Sequence, residues 1–396
     1  METELAGNRR RRGWLRETDC DIEEFARQQS RITEAADYPH AIEIAGNVPV
    51  YDGDLVRRAA GKPQARQALQ AEWAEAMTAG PGIVALRSAF ADHGVIDAAT
   101  VRFDEMIAEE RAAGRVAADH FAKPGANDRV WNALEKLCLR DPALFAAYYG
   151  NDAIAMISEA WLGPAYQVTS QVNCVNPGGA AQSPHRDYHL GFQSPAEIER
   201  YPAHVHRLSP LLTLQGAVAH CDMPLESGPT LYLPYSQGYE AGYLATGRPE
   251  FRAWFEAHHV QLPLRKGDAV FFNPALFHAA GHNRSAGIRR MANLLQVSSA
   301  YGRAMETVDR TRMSHALYPA LLSLRTAGAL SDREAAHAVA ACADGYAFPT
   351  NLDRDPPVGG LAPESQAALM LRALSAGWTA AAFDEALDRQ AGNRLS

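Results

Sequence analysis

Positive charge, cysteine and long apolar runs are scarce in this 396-residue chain, and each scarcity removes a class of protein. Lysine and arginine total 38 against 46 acidic residues, a formal net charge of −8. Without a concentrated basic surface a protein cannot neutralise a phosphate backbone, so nucleic acid is not expected as a partner. The five cysteines, Cys20, Cys138, Cys174, Cys221 and Cys342, are odd in number, scattered and never spaced Cys-x-x-Cys. That pattern argues against a disulfide framework or a zinc ribbon and reads as reduced thiols. No run of about 18 apolar residues occurs, so neither a spanning helix nor a membrane partner is expected. Arg9 to Arg12 are not followed by the apolar segment of a secretory signal and read as a solvated arm. The expectation is a cytoplasmic globular protein acting on a small molecule.

What is present is ordinary in amount, with 47% hydrophobic and 21% charged residues, and informative in arrangement. Residues 1 to about 60 are polar and weakly periodic and read as an arm. Residues 62–80, rich in Ala, Gln and Glu, predict a helix stopped at Gly80-Pro81-Gly82, and Ile83 to Leu86 a short buried strand. Helices are predicted over 96–113 and 152–161, the second stopped by Gly163-Pro164. From Tyr166 the period becomes two: Tyr166, Val168 and Val172 fall on one face of a strand, Gln167, Thr169, Gln171 and Asn173 on the other. Further strands are expected at 212–219, 231–233, 260–264, 269–272 and 291–298, and helices over 303–330, 332–343 and 363–390. Short strands after a helical opening, with no strand-helix-strand rhythm, predict an α+β fold with a mainly β core: a double-stranded β-helix (jelly roll) flanked by N-terminal and C-terminal helices. The division expected is an arm and helix over 1–75, the core over 76–302 and a helical extension over 303–396, whose helices could also form a homo-oligomer contact.

The chemistry is concentrated in His185-Arg186-Asp187 and His278. On an extended segment His-x-Asp turns both side chains to one face, and a second His from a remote strand completes a two-His, one-carboxylate face suited to Fe(II) with open positions left over. With 14 histidines in the chain, rivals have to be weighed. His220-Cys221-Asp222 is a second His-x-Asp, at the end of an apolar strand. His204-x-His206 lacks the following Glu of a cupin motif and reads as surface or loop. His258 and His259 would face opposite ways on a strand, and of His278 and His282 only one suits a ligand.

Residues 267–285, running from Gly267-Asp268 through the apolar Ala269 to Phe272 to His278, Gly281, Asn283 and Ser285 and followed by Arg289, resemble the C-terminal signature of the phytanoyl-CoA dioxygenase family. His185-Arg186-Asp187 resembles its first ligand pair, and Glu226-Ser227-Gly228-Pro229 its turn before a strand. The resemblance covers about residues 80 to 300. It implies a double-stranded β-helix in which His185, Asp187 and His278 bind iron and are catalytic. Arg289 would anchor the cosubstrate 2-oxoglutarate, a role its guanidinium fork also suits. Neighbours on a strand face opposite sides, so Arg290 is expected as a solvated charge, and Arg186 should point away from the metal. The family often has Ser or Thr two residues after the distal His where this chain has Ala280; Thr213 is a candidate replacement. The usual Pro-Gly-Ser-His reads Pro234-Tyr235-Ser236-Gln237, which points to an altered loop over the pocket.

Gln171 and Asn173, on the polar face of their strand, are candidates to meet the cosubstrate or orient a ligand. Tyr188, His189 and Phe192 are candidates to line the substrate cavity. The reaction implied consumes 2-oxoglutarate and O2, releases succinate and CO2 and oxidises a C–H bond of a small molecule, such as a specialised metabolite or amino-acid derivative. The carboxylate at Asp187 favours hydroxylation, desaturation or ring chemistry over halogenation, which needs a small residue there. Two other readings stand beside this one: a β-helix protein that binds a ligand without turnover, and a cupin-type oxygenase that uses no 2-oxoglutarate and leaves Arg289 without a role.

Overall fold

The computed structural model describes residues 13–113 and 126–396; Arg9 to Arg12 lie outside the described residues. Eight strands form one sheet: β1 (Glu43–Ala45), β2 (Val48–Asp52), β3 (Ile83–Arg87), β4 (Asn127–Val130), β5 (Gln167–Val175), β6 (Thr213–Ala219), β9 (Ala269–Phe272) and β11 (Arg290–Ser298), in the order β1-β2-β3-β9-β6-β11-β5-β4. A smaller sheet has the order β10-β7-β8, from β7 (Leu231–Leu233), β8 (Val260–Gln261) and β10 (Phe277–Ala279). Within both sheets every neighbouring pair is antiparallel except β2 and β3. The two sheets face each other as a double-stranded β-helix, closed at one end by Val48, Val50, Ile83, Tyr232, Leu262 and Phe272.

Alternation along the central strands decides what each face does. Val168, Val172 and Cys174 of β5, Leu214 and Val218 of β6, Phe271 of β9 and Met291, Leu295 and Val297 of β11 enter one apolar core with the helices. Their neighbours Gln171, Asn173, Gln215, Ala217, Val270, Phe272, Ala292, Leu294 and Gln296 line the space between the sheets. The polar face expected for β5 is the one turned inward.

Helices cover the outer face of the large sheet. Those over His93–Ala112, Ala133–Arg140, Pro142–Tyr149, Asp152–Leu162 and, beyond the strands, Arg310–Thr326, Asp332–Cys342, Gln366–Ala376 and Ala380–Arg394 all contribute to that one core. Arg310 pins the C-terminal layer to the sheet by donating from Nη2 to the Val168 carbonyl at 3.0 Å and from Nη1 to that of Cys342 at 3.1 Å. Among the described residues no helix is long and apolar enough to cross a membrane, and all five cysteines are free.

Two expectations about segments change. Residues 43–52, read as part of an arm, form a hairpin at the sheet edge, because Gly46 and Asn47 take φ of +56° and +69° and supply a tight two-residue turn. Val48 and Val50 are fully buried there. The loop Pro234 to Gln237 does not lie over the cavity but receives Arg186. The guanidinium Nη2 donates to the carbonyls of Ser236 at 2.6 Å and Tyr239 at 2.9 Å, with Cζ 5.0 Å from the Tyr243 ring and 5.2 Å from that of Phe277.

This anchor sets a steric demand at Gly242, where an added Cβ would stand 1.9 Å from Cζ of Arg186. Gly242→Ala should therefore cost about 1–3 kcal/mol, as overpacking does. The denaturant midpoint measures this; a midpoint equal to that of the wild type would mean that Arg186 is not held where described.

Candidate metal centre and cosubstrate cavity

His185 and His278 are brought together by backbone pairing. His185 N–H donates to the His278 carbonyl at 3.0 Å and His278 N–H to the His185 carbonyl at 3.2 Å, an isolated bridge that extends the small sheet. Asp187 N–H continues the pairing to the Pro274 carbonyl at 3.1 Å. Residues 185–187 are thus extended without forming a full strand, and alternation sends Arg186 away from the cavity as expected. After Asp187 the chain is forced round: Tyr188 and His189 both take left-handed φ, +62° and +47°, a conformation that bulky residues seldom adopt and that clusters at functional sites.

His185, Asp187 and His278 each offer a ligand atom, and these atoms lie within 4.8 Å of one another; among the described residues this is the one such group of three. The His278 Nε2 stands 3.2 Å from Asp187 Oδ2 and the His185 Nε2 stands 3.6 Å from Oδ1. Each imidazole donates from Nδ1 to a carbonyl at 2.9 Å, His185 to Ser183 and His278 to Leu276. Those bonds fix both tautomers and leave the Nε2 atoms for an ion. Burial alone would raise the pKa of Asp187, but the hydrogen bond and charge of His278, then His185 and Gln215, hold it below the usual carboxylate range. Burial, and His278 beside it, lower that of His185. Anionic oxygen and neutral imidazole are the forms a metal takes. Two imidazoles and one carboxylate on one side, with open space opposite, fit Fe(II).

The triad borders a cavity of about 680 Å³ between the sheets, within the range of small-molecule sites. Sequence reasoning missed Gln215, on the inner face of β6. Its Nε2 donates to Asp187 Oδ2 at 2.6 Å and lies 3.4 Å from His278 Nε2. A lone amide in the apolar run 212–219 was the available signal.

The expectation for the two arginines is reversed. Arg289 precedes β11 and turns outward, its half-exposed guanidinium 3.1 Å from Asp104 Oδ1. Arg290 is the first residue of β11, in phase with Ala292, Leu294 and Gln296, and lines the cavity. It is 7% exposed, and burial pushes its pKa down to about 10, so it stays charged at neutral pH. Its bonds are two long ones, Nη1 to the carbonyls of Ser227 at 3.3 Å and Gly281 at 3.4 Å. No carboxylate of the described residues pairs with it. A buried guanidinium in this state is costly unless a ligand anion arrives.

The remaining expectations divide. Gln171 and Asn173 line the cavity, as do Tyr188 and Phe192. Gln171 Oε1 accepts from Arg129 Nη1 at 2.9 Å. Thr213 cannot share a ligand with Arg290, because it pairs with Ser298, eight positions and about 26 Å further along β11. Its hydroxyl lies 3.3 Å from His189 Nε2 instead, and neither residue lines the cavity. Thr230, Tyr232 and Ser183 are hydroxyl-bearing residues that border the cavity with Arg290 and Ala280. The rival His220 is buried between the Thr100 hydroxyl at 2.8 Å and that of Tyr148 at 2.9 Å, and burial pushes its pKa down to about 3. His206 is buried on the helix Ala203–Leu208 rather than in a loop.

The chain belongs to the phytanoyl-CoA dioxygenase family, whose model matches residues 57–291, more than half its length, including His185, Asp187, Gln215, His278 and Arg290. It is accordingly an oxidoreductase dependent on iron and 2-oxoglutarate. No curated protein matches it. Among solved structures it is similar to the non-heme alpha ketoglutarate dependent epimerase SnoN from nogalamycin biosynthesis, with 22% identity over 60% of this chain and 85% of that one and a TM-score of 0.38. A complex of SnoN with Fe3+, alpha ketoglutarate and nogalamycin RO gives 20% identity over 63% of this chain and 90% of that one, at a TM-score of 0.39. The carbocyclase SnoK from the same biosynthesis gives 20% identity over 59% and 86%, at 0.39. Likenesses this loose add nothing to the family assignment.

Gln215→Leu removes a donor to Asp187 at little change in volume, and an outer partner of a ligand typically contributes tenfold or more to metal affinity. Anaerobic calorimetric titration with Fe(II) should show binding weakened by about tenfold; equal affinities in variant and wild type would leave Gln215 with no hold on the ligand set.

Proposed function

We propose that the protein hydroxylates a C–H bond of a small molecule at an iron held by His185, Asp187 and His278, with 2-oxoglutarate seated on Arg290. The observation that carries this reading is that the triad and an unpaired buried guanidinium line the same cavity. Small side chains, Ala217, Ala219 and Ala292, border it as well and leave room for a slender diacid. Gly281, whose carbonyl accepts from Arg290, is three residues past His278, a chain reach of at most about 10 Å.

Each residue then has a task. The two imidazoles and Asp187 hold the ion from one side, and Gln215 steadies the carboxylate. Arg290 forms a charge-assisted pair with the far carboxylate of the cosubstrate, and Thr230 or Tyr232 supplies the hydroxyl contact that Ala280 lacks. Asn173, whose Oδ1 is buried without a partner, stands on the inner face between Arg290 and the amide of Gln171. Phe272, its ring 4.9 Å from that of His278, walls the site from water on the β9 side. When bound, the ferrous ion and the 2-oxo acid supply the oxidising chemistry, and the protein supplies orientation and a dry enclosure. An aspartate at 187 keeps a carboxylate where a halogenating relative needs space for halide, which favours hydroxylation.

Adding Fe(II) and 2-oxoglutarate without oxygen should produce a weak visible charge-transfer band that His185→Ala abolishes. Arg290→Met should raise the Kd for 2-oxoglutarate by about 10- to 100-fold, the worth of a charged hydrogen-bonded pair, whereas Arg289→Met should change it less than about twofold, as for a surface pair. With oxygen, succinate should form. A band that survives His185→Ala, or a loss of cosubstrate affinity in Arg289→Met instead of Arg290→Met, would refute the proposal.

A further inference from the structure

Iron and cosubstrate, seated as above, leave one side of the cavity open. Gln215, whose amide holds Asp187, pairs with Gln296 across the ladder of β6 and β11, so the ligand triad stands at the level of Gln296. Arg290 lies at the start of β11, about 20 Å from Gln296 along the strand. A diacid running from the ion to Arg290 fills that side. The substrate is left to meet the ion from the Gln296 side, where the described walls are of a different kind.

Tyr188, Phe192, Leu294 and Met305 line the cavity there. Phe192 ends the short helix His189–Phe192 that follows the left-handed turn, and its ring meets that of Tyr188 edge-on at 5.9 Å. Met305 comes from the segment joining β11 to the helix Arg310–Thr326. Phe192 is 52% exposed and Met305 38%, so two large apolar side chains at the rim of a cavity are left partly to water. Covering such surface with an apolar guest is favourable, and aromatic ring and thioether both pack well against a flat ring.

Charge is already settled on this side. Arg129 is engaged: its Nη1 donates to Gln171 Oε1 at 2.9 Å, and the carboxylate of Glu306, the residue after Met305, acts on both Arg129 and Gln171. The Gln296 amide, its Oε1 3.5 Å from Gln171 Nε2, and the phenol of Tyr188 carry no charge. A charged group brought here loses its water without gaining a counter-charge, which is costly. A hydroxyl, carbonyl or amide loses far less, since amide side chains both donate and accept.

We propose that the primary substrate is an uncharged molecule built on a flat apolar ring, its ring seated against Phe192 and Met305 and its reacting C–H bond directed from there to the ion. This rests on the proposed function, which supplies the ion and the side that the cosubstrate takes. Phe192 and Met305 are then the residues that select the substrate.

The test uses the full chain loaded anaerobically with Fe(II) and 2-oxoglutarate and titrated with two sets of probes, each one ring in neutral, anionic and cationic form: naphthalene-2-carboxamide, 2-naphthoate and 2-(aminomethyl)naphthalene, then indole-3-acetamide, indole-3-acetate and tryptamine. The readouts are the shift of the visible band and the Kd from calorimetry. In at least one set the neutral member should shift the band and bind about tenfold or more tightly than both charged members, the scale of one charge buried without a partner. Phe192→Ala and Met305→Ala should each raise its Kd by about fivefold or more, the loss of a partly buried apolar side chain. Both positions are partly exposed, and formation of the cosubstrate band in each variant shows that the metal site has survived. Should either variant lose the band, Phe192→Leu or Met305→Gln, closer in size, takes its place with the same direction of change. A charged member binding as tightly as the neutral one, a Kd unmoved at either position, or a loaded protein that takes none of the probes would each overturn the assignment. If the band never forms in the wild type, the proposed function fails instead.

Discussion

The site depends on one constraint, the pairing of β11 between β5 and β6. Because the side-chain period of a strand is two, that register fixes at once which residues build the helical core and which build the cavity. Met291, Leu295 and Val297 go outward; Arg290, Ala292 and Leu294 go inward. Across the ladder Ala292 faces Asn173 on one side and Ala219 on the other, and Leu294 faces Gln171 and Ala217. A slip by one residue would expose Val297 to the cavity and drive a guanidinium into the apolar core, so the thick helical layer behind the sheet holds the cavity in phase. The C-terminal helices belong to that layer, and Arg310 ties them to β5.

The ligand side is held by a second set of contacts. His185 and His278 owe their closeness to two backbone hydrogen bonds, and Asp187 follows through a third. Arg186, between the two ligands of its own segment, is turned the other way and clasped by carbonyls and aromatic rings. The left-handed φ of Tyr188 and His189 ends the extended segment at once and keeps the tyrosine ring beside the ligands. The site is therefore set by backbone pairing and by a buried cation outside it, which is the preorganisation an oriented oxidation requires.

Most of the architecture was legible in the sequence because it follows from periodicity. The strand at 166–175, its polar face and the strands near 212–219 and 269–272 needed only the count of two, and the helix over Pro63–Thr78 was marked by its residue types and the Gly-Pro-Gly after it. The triad was legible because His-x-Asp puts both side chains on one face in any extended segment. Arg289 and Arg290 show where such reasoning stops: alternation separates them, but which faces inward depends on where β11 begins, and the loop 281–289 hides that phase. The β1–β2 hairpin was missed because its apolar run, Val48 to Tyr51, is only four residues long and is set in a polar stretch. Gln215 and Arg129 become visible only when strands distant in sequence are set side by side.

The central claim, that one ion sits on His185, Asp187 and His278 with the cosubstrate reaching Arg290, is tested most directly by diffraction from crystals grown anaerobically with Fe(II) and 2-oxoglutarate, with data at the iron absorption edge. The account predicts a single strong anomalous peak bonded to Nε2 of both histidines and to the Asp187 carboxylate, and a diacid whose far carboxylate meets the Arg290 guanidinium. An anomalous peak elsewhere, or a diacid turned toward Arg289 or Arg129 instead, would contradict it.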